Sequence, residues 1–232
     1  MTPLPFRLVA WSAWSPDSPA PSQGGRAGVG RPMPASLRRR VTPVGRKALE
    51  CAWAVLPESG EPRLVLCSRH GEYGRTFGLL TQIDEEGTAS PAEFSLSVHH
   101  ALAGLLSIAT GNRAAHTAVA AGEESFGYGM LEAVTGLMED GRPAVVMYFD
   151  EPPPEIYRPV LGHPLPAAAL AVALAPAEAG EGEAMTLAVE PATTPGTFPR
   201  SMAADFVDFL ASSAPERVSA GERLTWGWRR AA

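Results

Sequence analysis

Ser90–Asp150 reads SPAEFSLSVHHALAGLLSIATGNRAAHTAVAAGEESFGYGMLEAVTGLMEDGRPAVVMYFD, and this stretch decides the fold. Leu102, Leu105, Leu106 and Ala109 follow Val98 at helical spacing; Phe126, Met130, Leu131, Val134, Leu137 and Met138 do the same further on. Between the two patterns, His116 to Ala121 is short and small-sided, which predicts a buried strand. Glu139-Asp140-Gly141 then turns the chain into Ala144 to Phe149, a second strand. Helix, strand, tight turn, helix, strand predicts an α/β chain with a parallel sheet covered by helices.

The turn Gly122-Glu123-Glu124-Ser125 falls where a strand delivers its end to a helix N-terminus. Free N–H groups and the helix dipole favour an anion there, and many α/β enzymes put a nucleophile at this point. Here the turn carries two carboxylates, which also read as plain helix-capping acids. Ser125 opens a second enzyme reading. Strand, turn, serine, helix is the order of a hydrolase nucleophile elbow, and Gly127 matches the second glycine of G-x-S-x-G. Glu123 stands where the first glycine belongs, and His163 is the sole candidate base downstream.

Upstream, Phe6 to Trp11 predicts a first strand that can run on to Trp14. Residues 15–35 are rich in Pro, Gly and Ser and predict a flexible loop. Arg38-Arg39-Arg40 reads as a solvated face or as a contact for an acidic partner. Thr42-Pro43 places a capping threonine before a first-turn proline, and Val44, Ala48, Cys51, Ala52 and Val55 line one helix face behind it. Arg63 to Cys67 predicts a strand, and Phe77, Leu79, Leu80 and Ile83 a short helix. Downstream, Pro152 to Pro154 closes the central stretch. Ala167 to Ala175 and Met185 to Val189 predict strands, with Ala179 to Gly182 suited to a hairpin turn between them. Arg200 to Leu210 predicts an amphipathic helix. Arg223 to Trp228 predicts a last strand, with Trp226 and Trp228 on one face as core or as a partner interface.

The 232 residues suffice for one substantial domain spanning residues 1–232. A net charge of −6 argues against general nucleic-acid binding. Lys47 is the only lysine, which leaves little scope for Schiff-base or phosphate-loop chemistry. Cys51 and Cys67 read as buried free thiols in a reducing compartment. No Cys or His pairing has metal-ligand spacing, so no metal or cofactor is expected. No apolar run reaches membrane-spanning length, and Pro3, Pro5 and Arg7 interrupt any leader-like core, so a cytoplasmic, soluble chain is expected.

The motifs also resemble a known family. Ser97-Val98-His99-His100-Ala101 is close to an S-V-H-N-A motif, and Ser68-Arg69-His70-Gly71-Glu72 is similar to an S-R-H-G-E segment. Both belong to ketosynthase-like, chain-length-factor-type proteins of aryl polyene and related polyketide pathways. The resemblance covers residues 6–151 and fades over 152–232. It implies a thiolase-like layered fold, like the N-terminal half of a β-ketoacyl synthase.

The same resemblance implies that Glu123, with Glu124 and Ser125 beside it, occupies the position where an active ketosynthase carries its cysteine nucleophile. Nothing after Glu155 matches the histidine and lysine motifs of that family. The implied role is therefore not catalytic by itself, although an active relative would be an acyltransferase. The expected function is that of a chain-length-factor-type partner of a full-length β-ketoacyl synthase, as a heterodimer, in polyketide, aryl polyene or fatty-acid-type synthesis. A purely structural subunit is the remaining alternative. Phe94, His99, His100, Leu102 and Phe126 are candidate walls of an acyl tunnel or ordinary core. Arg38, Arg39 and Arg40 are candidate contacts for an acyl carrier protein.

Overall fold

The computed structural model describes residues 2–26, 32–58, 60–161, 166–196 and 200–231. His163, the candidate base, lies outside the described residues. The elements in order are β1 (Leu4–Ser15), β2 (Ser18–Gly25), α1 (Ala35–Arg38), α2 (Pro43–Val55), β3 (Arg63–Cys67), α3 (Tyr73–Glu86), α4 (Pro91–Ser97), α5 (Ala101–Thr110), β4 (His116–Val119), α6 (Ser125–Asp140) and β5 (Ala144–Asp150). A 3-10 turn (Glu155–Tyr157), α7 (Arg158–Leu161), β6 (Ala168–Ala175), β7 (Glu183–Pro191), α8 (Met202–Ala211), β8 (Glu216–Ala220) and β9 (Leu224–Arg230) follow.

The described strands form one sheet in the order β4-β3-β5-β6-β1-β7-β9-β8, with β2 paired to β1 beside this path. Only β4, β3 and β5 run parallel; every other pairing is antiparallel, so the expected parallel sheet is one wing of a mixed one. Helices α2 and α5 cover one face around Leu49, Leu66, Leu102, Leu106 and Phe149. Helices α6 and α8 cover the other around Phe126, Met130, Phe206, Trp226 and Trp228. Alternation along β9 puts both tryptophans on that second face, where each is fully buried.

Local chemistry explains the helix starts. Thr42 Oγ1 accepts from Gly45 N at 3.1 Å, Ser90 Oγ from Glu93 N, and Ser201 Oγ from Ala204 N at 3.1 Å. Pro43 and Pro91 occupy first-turn positions where the missing N–H costs nothing. Gly127 and Gly129 let α6 lie close on the sheet: a Cβ at Gly127 would come 2.6 Å from the Trp226 ring. That packing, rather than an elbow geometry, accounts for Gly127.

Three expectations are corrected. Residues 15–35 are not one loop, because Ser18–Gly25 forms β2 and Ala35–Arg38 forms α1. Gly24 permits this, since its bare Cα passes over the Trp11 indole where a side chain would collide. The turn at Ala179 to Gly182 does not close a hairpin, because β1 lies between β6 and β7 and pairs with both. Strand β4 is not buried: it is the sheet's edge, with His116 and Ala118 exposed. His99 and His100 lie in a turn before α5.

Candidate functional site

The parallel strands β3, β4 and β5 end on one side of the sheet, the place where α/β folds gather functional side chains. The segment after β3 supplies Ser68, Arg69, His70, Gly71 and Glu72. The end of β5 supplies Asp150, and the turn after β4 supplies Glu123, Glu124 and Ser125.

Asp150 ties the first two together. Its Oδ1 accepts from Ser68 Oγ at 3.0 Å and from Arg69 N at 2.8 Å, and its Oδ2 accepts from Tyr148 Oη at 2.8 Å. Ser68 Oγ in turn accepts from Gly71 N at 2.8 Å. Burial pushes the Asp150 carboxyl above its ordinary range, while the hydrogen bonds from Tyr148, Arg69 and Ser68 pull it back. The same burial raises the Tyr148 phenol. Gly71 adopts φ +65°, the left-handed region that suits glycine, with His99 pressed against it. His99 Nε2 lies 3.0 Å from the carbonyl oxygen of Ser68. His99 is therefore tied to the same network that Asp150 and Ser68 build. Burial and the neighbouring Arg69 lower the His70 pKa from its ordinary value.

Glu72 fixes the far side. It is buried and accepts from Thr42 N at 3.1 Å, Thr42 Oγ1 at 2.8 Å and Arg75 Nε at 2.9 Å. Arg75 also reaches Glu93, which joins α3 to α4. His70 stacks on Tyr73, and Tyr73 on Tyr157, each at 5.1 Å between ring centres.

The two acids after β4 part company. Glu123 is partly exposed and pairs with Arg69 at 3.5 Å. Glu124 is 2% exposed and turns inward, accepting from Arg223 N at 2.8 Å and Trp226 Nε1 at 3.0 Å. Neither caps α6: Glu124 stands at the N-cap without a side-chain bond to the helix, and the first turn holds no acid. The capping expectation is thus replaced by two ties, one to the Ser68 motif and one to the β8–β9 hairpin. Ser125 is buried; its Oγ donates to Gly122 O at 2.6 Å and accepts from Ala121 N at 3.0 Å. The hydroxyl closes the turn and faces no histidine among these bonds. Fluorophosphonate should therefore leave Ser125 unlabelled, and Ser125→Ala should change no ester turnover; stoichiometric labelling at Ser125, read by peptide mass spectrometry, would overturn this.

The other candidates divide as follows. Phe126 is fully buried against Tyr148, Phe206 and Trp228, and Leu102 sits in the opposite core. Phe94 is 63% exposed on α4. Ser97 Oγ donates to Phe94 O at 2.9 Å. His100 is exposed and stacks on His116 at 5.6 Å, beside the β4 edge. Arg38, Arg39 and Arg40 are exposed near α1. Asp150, Tyr148 and the Glu124–Trp226 bond had no local signal in the sequence.

Both cysteines are buried and free. Cys67 Sγ donates to Met147 O at 3.4 Å, and burial holds its thiol well above the usual range. The Cys51 thiol is pushed up to about 12. Neither forms a thiolate near neutral pH. Iodoacetamide at pH 8 should therefore modify neither in the native chain and both after denaturation; rapid native labelling of Cys67 would contradict the packing. Among the described residues, no group of three or more His, Cys, Asp and Glu is placed to hold a metal ion, and no helix is long and apolar enough to cross a membrane.

Residues 11–229 match the family described as beta-ketoacyl synthase, N-terminal domain. No curated protein matches the sequence. Among solved structures, one chain of the ketosynthase ApeO in complex with its chain length factor ApeC, from Xenorhabdus doucetiae, is 23% identical with a TM-score of 0.81; the match covers 98% of this chain and 100% of that one. The ishigamide ketosynthase/chain length factor is 16% identical with a TM-score of 0.62, over 82% of this chain and 68% of that one. A β-ketoacyl synthase from Burkholderia phymatum is 10% identical with a TM-score of 0.59, over 84% and 67%. These likenesses establish a thiolase-like ketosynthase fold.

Proposed function

We propose, for a chain that belongs to the β-ketoacyl synthase N-terminal domain family, the role of a non-condensing, chain-length-factor-type partner of an active β-ketoacyl synthase. The observation that carries this reading is the free edge at β4. Ala115 O accepts from Leu64 N and Val119 O from Ser68 N, so the odd-numbered residues of β4 face β3. By the alternation of a parallel ladder, His116 and Ala118 turn their N–H and C=O groups outward, where no described strand pairs them. An exposed edge of this kind is a template for strand addition by a partner. It lies beside the Arg69–Glu123 pair and the His100–His116 stack, so a partner seated there reaches the motif cluster.

The chemistry supports the lack of condensation. A condensing enzyme needs a thiolate at the strand-to-helix turn. This turn carries Glu123, and both thiols are sealed in the two cores. A carboxylate there also repels the anionic carboxyl of a malonyl group. Arg38, Arg39 and Arg40 are the proposed contacts for an acyl carrier protein, the products are of polyketide, aryl polyene or fatty-acid type, and the complex works in the cytoplasm. The serine hydrolase alternative has a buried, doubly bonded hydroxyl against it. Affinity-tagged chain co-expressed with the full-length synthase of its host should retain that synthase on purification. A monodisperse monomer that retains no synthase would contradict the proposal.

A further inference from the structure

A second site is framed on the α6–α8 face of the sheet, away from β4. A cavity of about 230 Å³ lies where the ends of β1, β5 and β6 meet α8. Its walls are rich in alanine, with Ala13, Ala168 and Ala169 from the strands and Ala203 and Ala204 from α8, and Trp14 and the hydroxyls of Ser15, Ser18 and Ser22 complete the β1–β2 side. The Phe126, Phe206 and Trp228 core ends just short of it, at Tyr148, which lines both. Larger side chains at these alanines would have filled the space. The charged pair stands on the α8 side, where Arg200 Nη1 donates to Asp208 Oδ2. Arg200 has no other bond among the described residues, so the rest of its planar, five-donor fork is free for a second carboxylate.

We propose that this cavity binds a small carboxylic acid with an apolar body, a short acyl chain or a single ring, whose carboxylate meets Arg200 while its body fills the alanine-walled space. Tyr148 gives the site a link to the motif cluster: it lines the cavity and donates to Asp150, which holds Ser68 and Arg69. The site is distinct from the proposed partner edge, because β4 is separated from β6 by two strands, about 14 Å of sheet.

The test uses the purified full-length chain with alanine methyl groups carbon-13 labelled, titrated with octanoate, octanol and octylamine and followed by NMR. Octanoate should shift the methyl signals of Ala13, Ala168, Ala203 and Ala204 and bind at least tenfold more tightly than octylamine. Arg200→Ala should abolish that preference. Ala204→Phe, at a half-buried helix position, should abolish octanoate binding with an unchanged spectrum elsewhere. Should that variant fail to fold, Val207→Trp on the same wall serves in its place. Absence of saturable shifts at these alanines, shifts centred elsewhere, or octanoate binding that survives the filling substitution would overturn the proposal. None of these readouts involves the synthase, so the outcome is independent of the partner reading.

Discussion

Ala118→Pro is expected to weaken pairing with the synthase while leaving the isolated chain folded. The bonds of β4 to β3 run through its odd-numbered residues, so proline at 118 removes an outward N–H and no bond of the sheet. Proline is tolerated on edge strands for this reason. A partner strand added at this edge would lose that donor and keep a buried acceptor unsatisfied. The penalty is about 1–3 kcal/mol, roughly five- to 150-fold in Kd. Thr117→Pro provides the contrast, since it removes a bond to β3 and should lower the melting temperature of the chain itself. Titration by interferometry, with melting curves of both variants, checks this. Unchanged affinity of Ala118→Pro would place the partner on another surface.

Phe126→Ala should destabilise the chain by about 3–5 kcal/mol, because it empties the centre of the α6–α8 core. Against a total stability of about 5–15 kcal/mol for a typical domain, this is among the largest single effects available. It also separates the two roles open to Phe126 from sequence. A tunnel wall would tolerate alanine and lengthen the product; a core ring unfolds the chain. Urea denaturation should show a lower midpoint with an unchanged slope. Near-wild-type stability together with a longer product would return Phe126 to the tunnel.

How much was legible follows from the range of each interaction. Helices α5 and α6 and strand β5 announce themselves because helical and strand periodicity are local, whereas α4 carries no apolar pattern and the edge position of β4 is not local. Thr42-Pro43 starts a helix for an equally local reason. The motif Ser68 to Glu72 was visible as a string, but its organiser was not. Asp150 follows an apolar strand and looks like any acid at a strand end, and only the parallel pairing of β3 with β5 brings it to Ser68. Glu124 reads as one of two equivalent acids until β9 places Trp226 beside it, 102 residues later in the chain. The insertion of β1 between β6 and β7 is a choice among sheet orders that no local pattern encodes. Strand β2 was hidden because its prolines and glycines are turn residues elsewhere, whereas at a sheet margin they let the backbone lie against Trp11.

The account predicts that all condensing chemistry belongs to the partner. The most direct measurement reconstitutes this chain with a full-length synthase whose own nucleophilic cysteine is replaced by alanine. The pair is supplied with acyl and malonyl carrier protein, and product is read by mass spectrometry. The predicted result is an assembled complex that forms no β-ketoacyl product, while the pair with intact synthase does. Product from the cysteine-less pair would show that the turn at Glu123 carries out the reaction and would contradict the account.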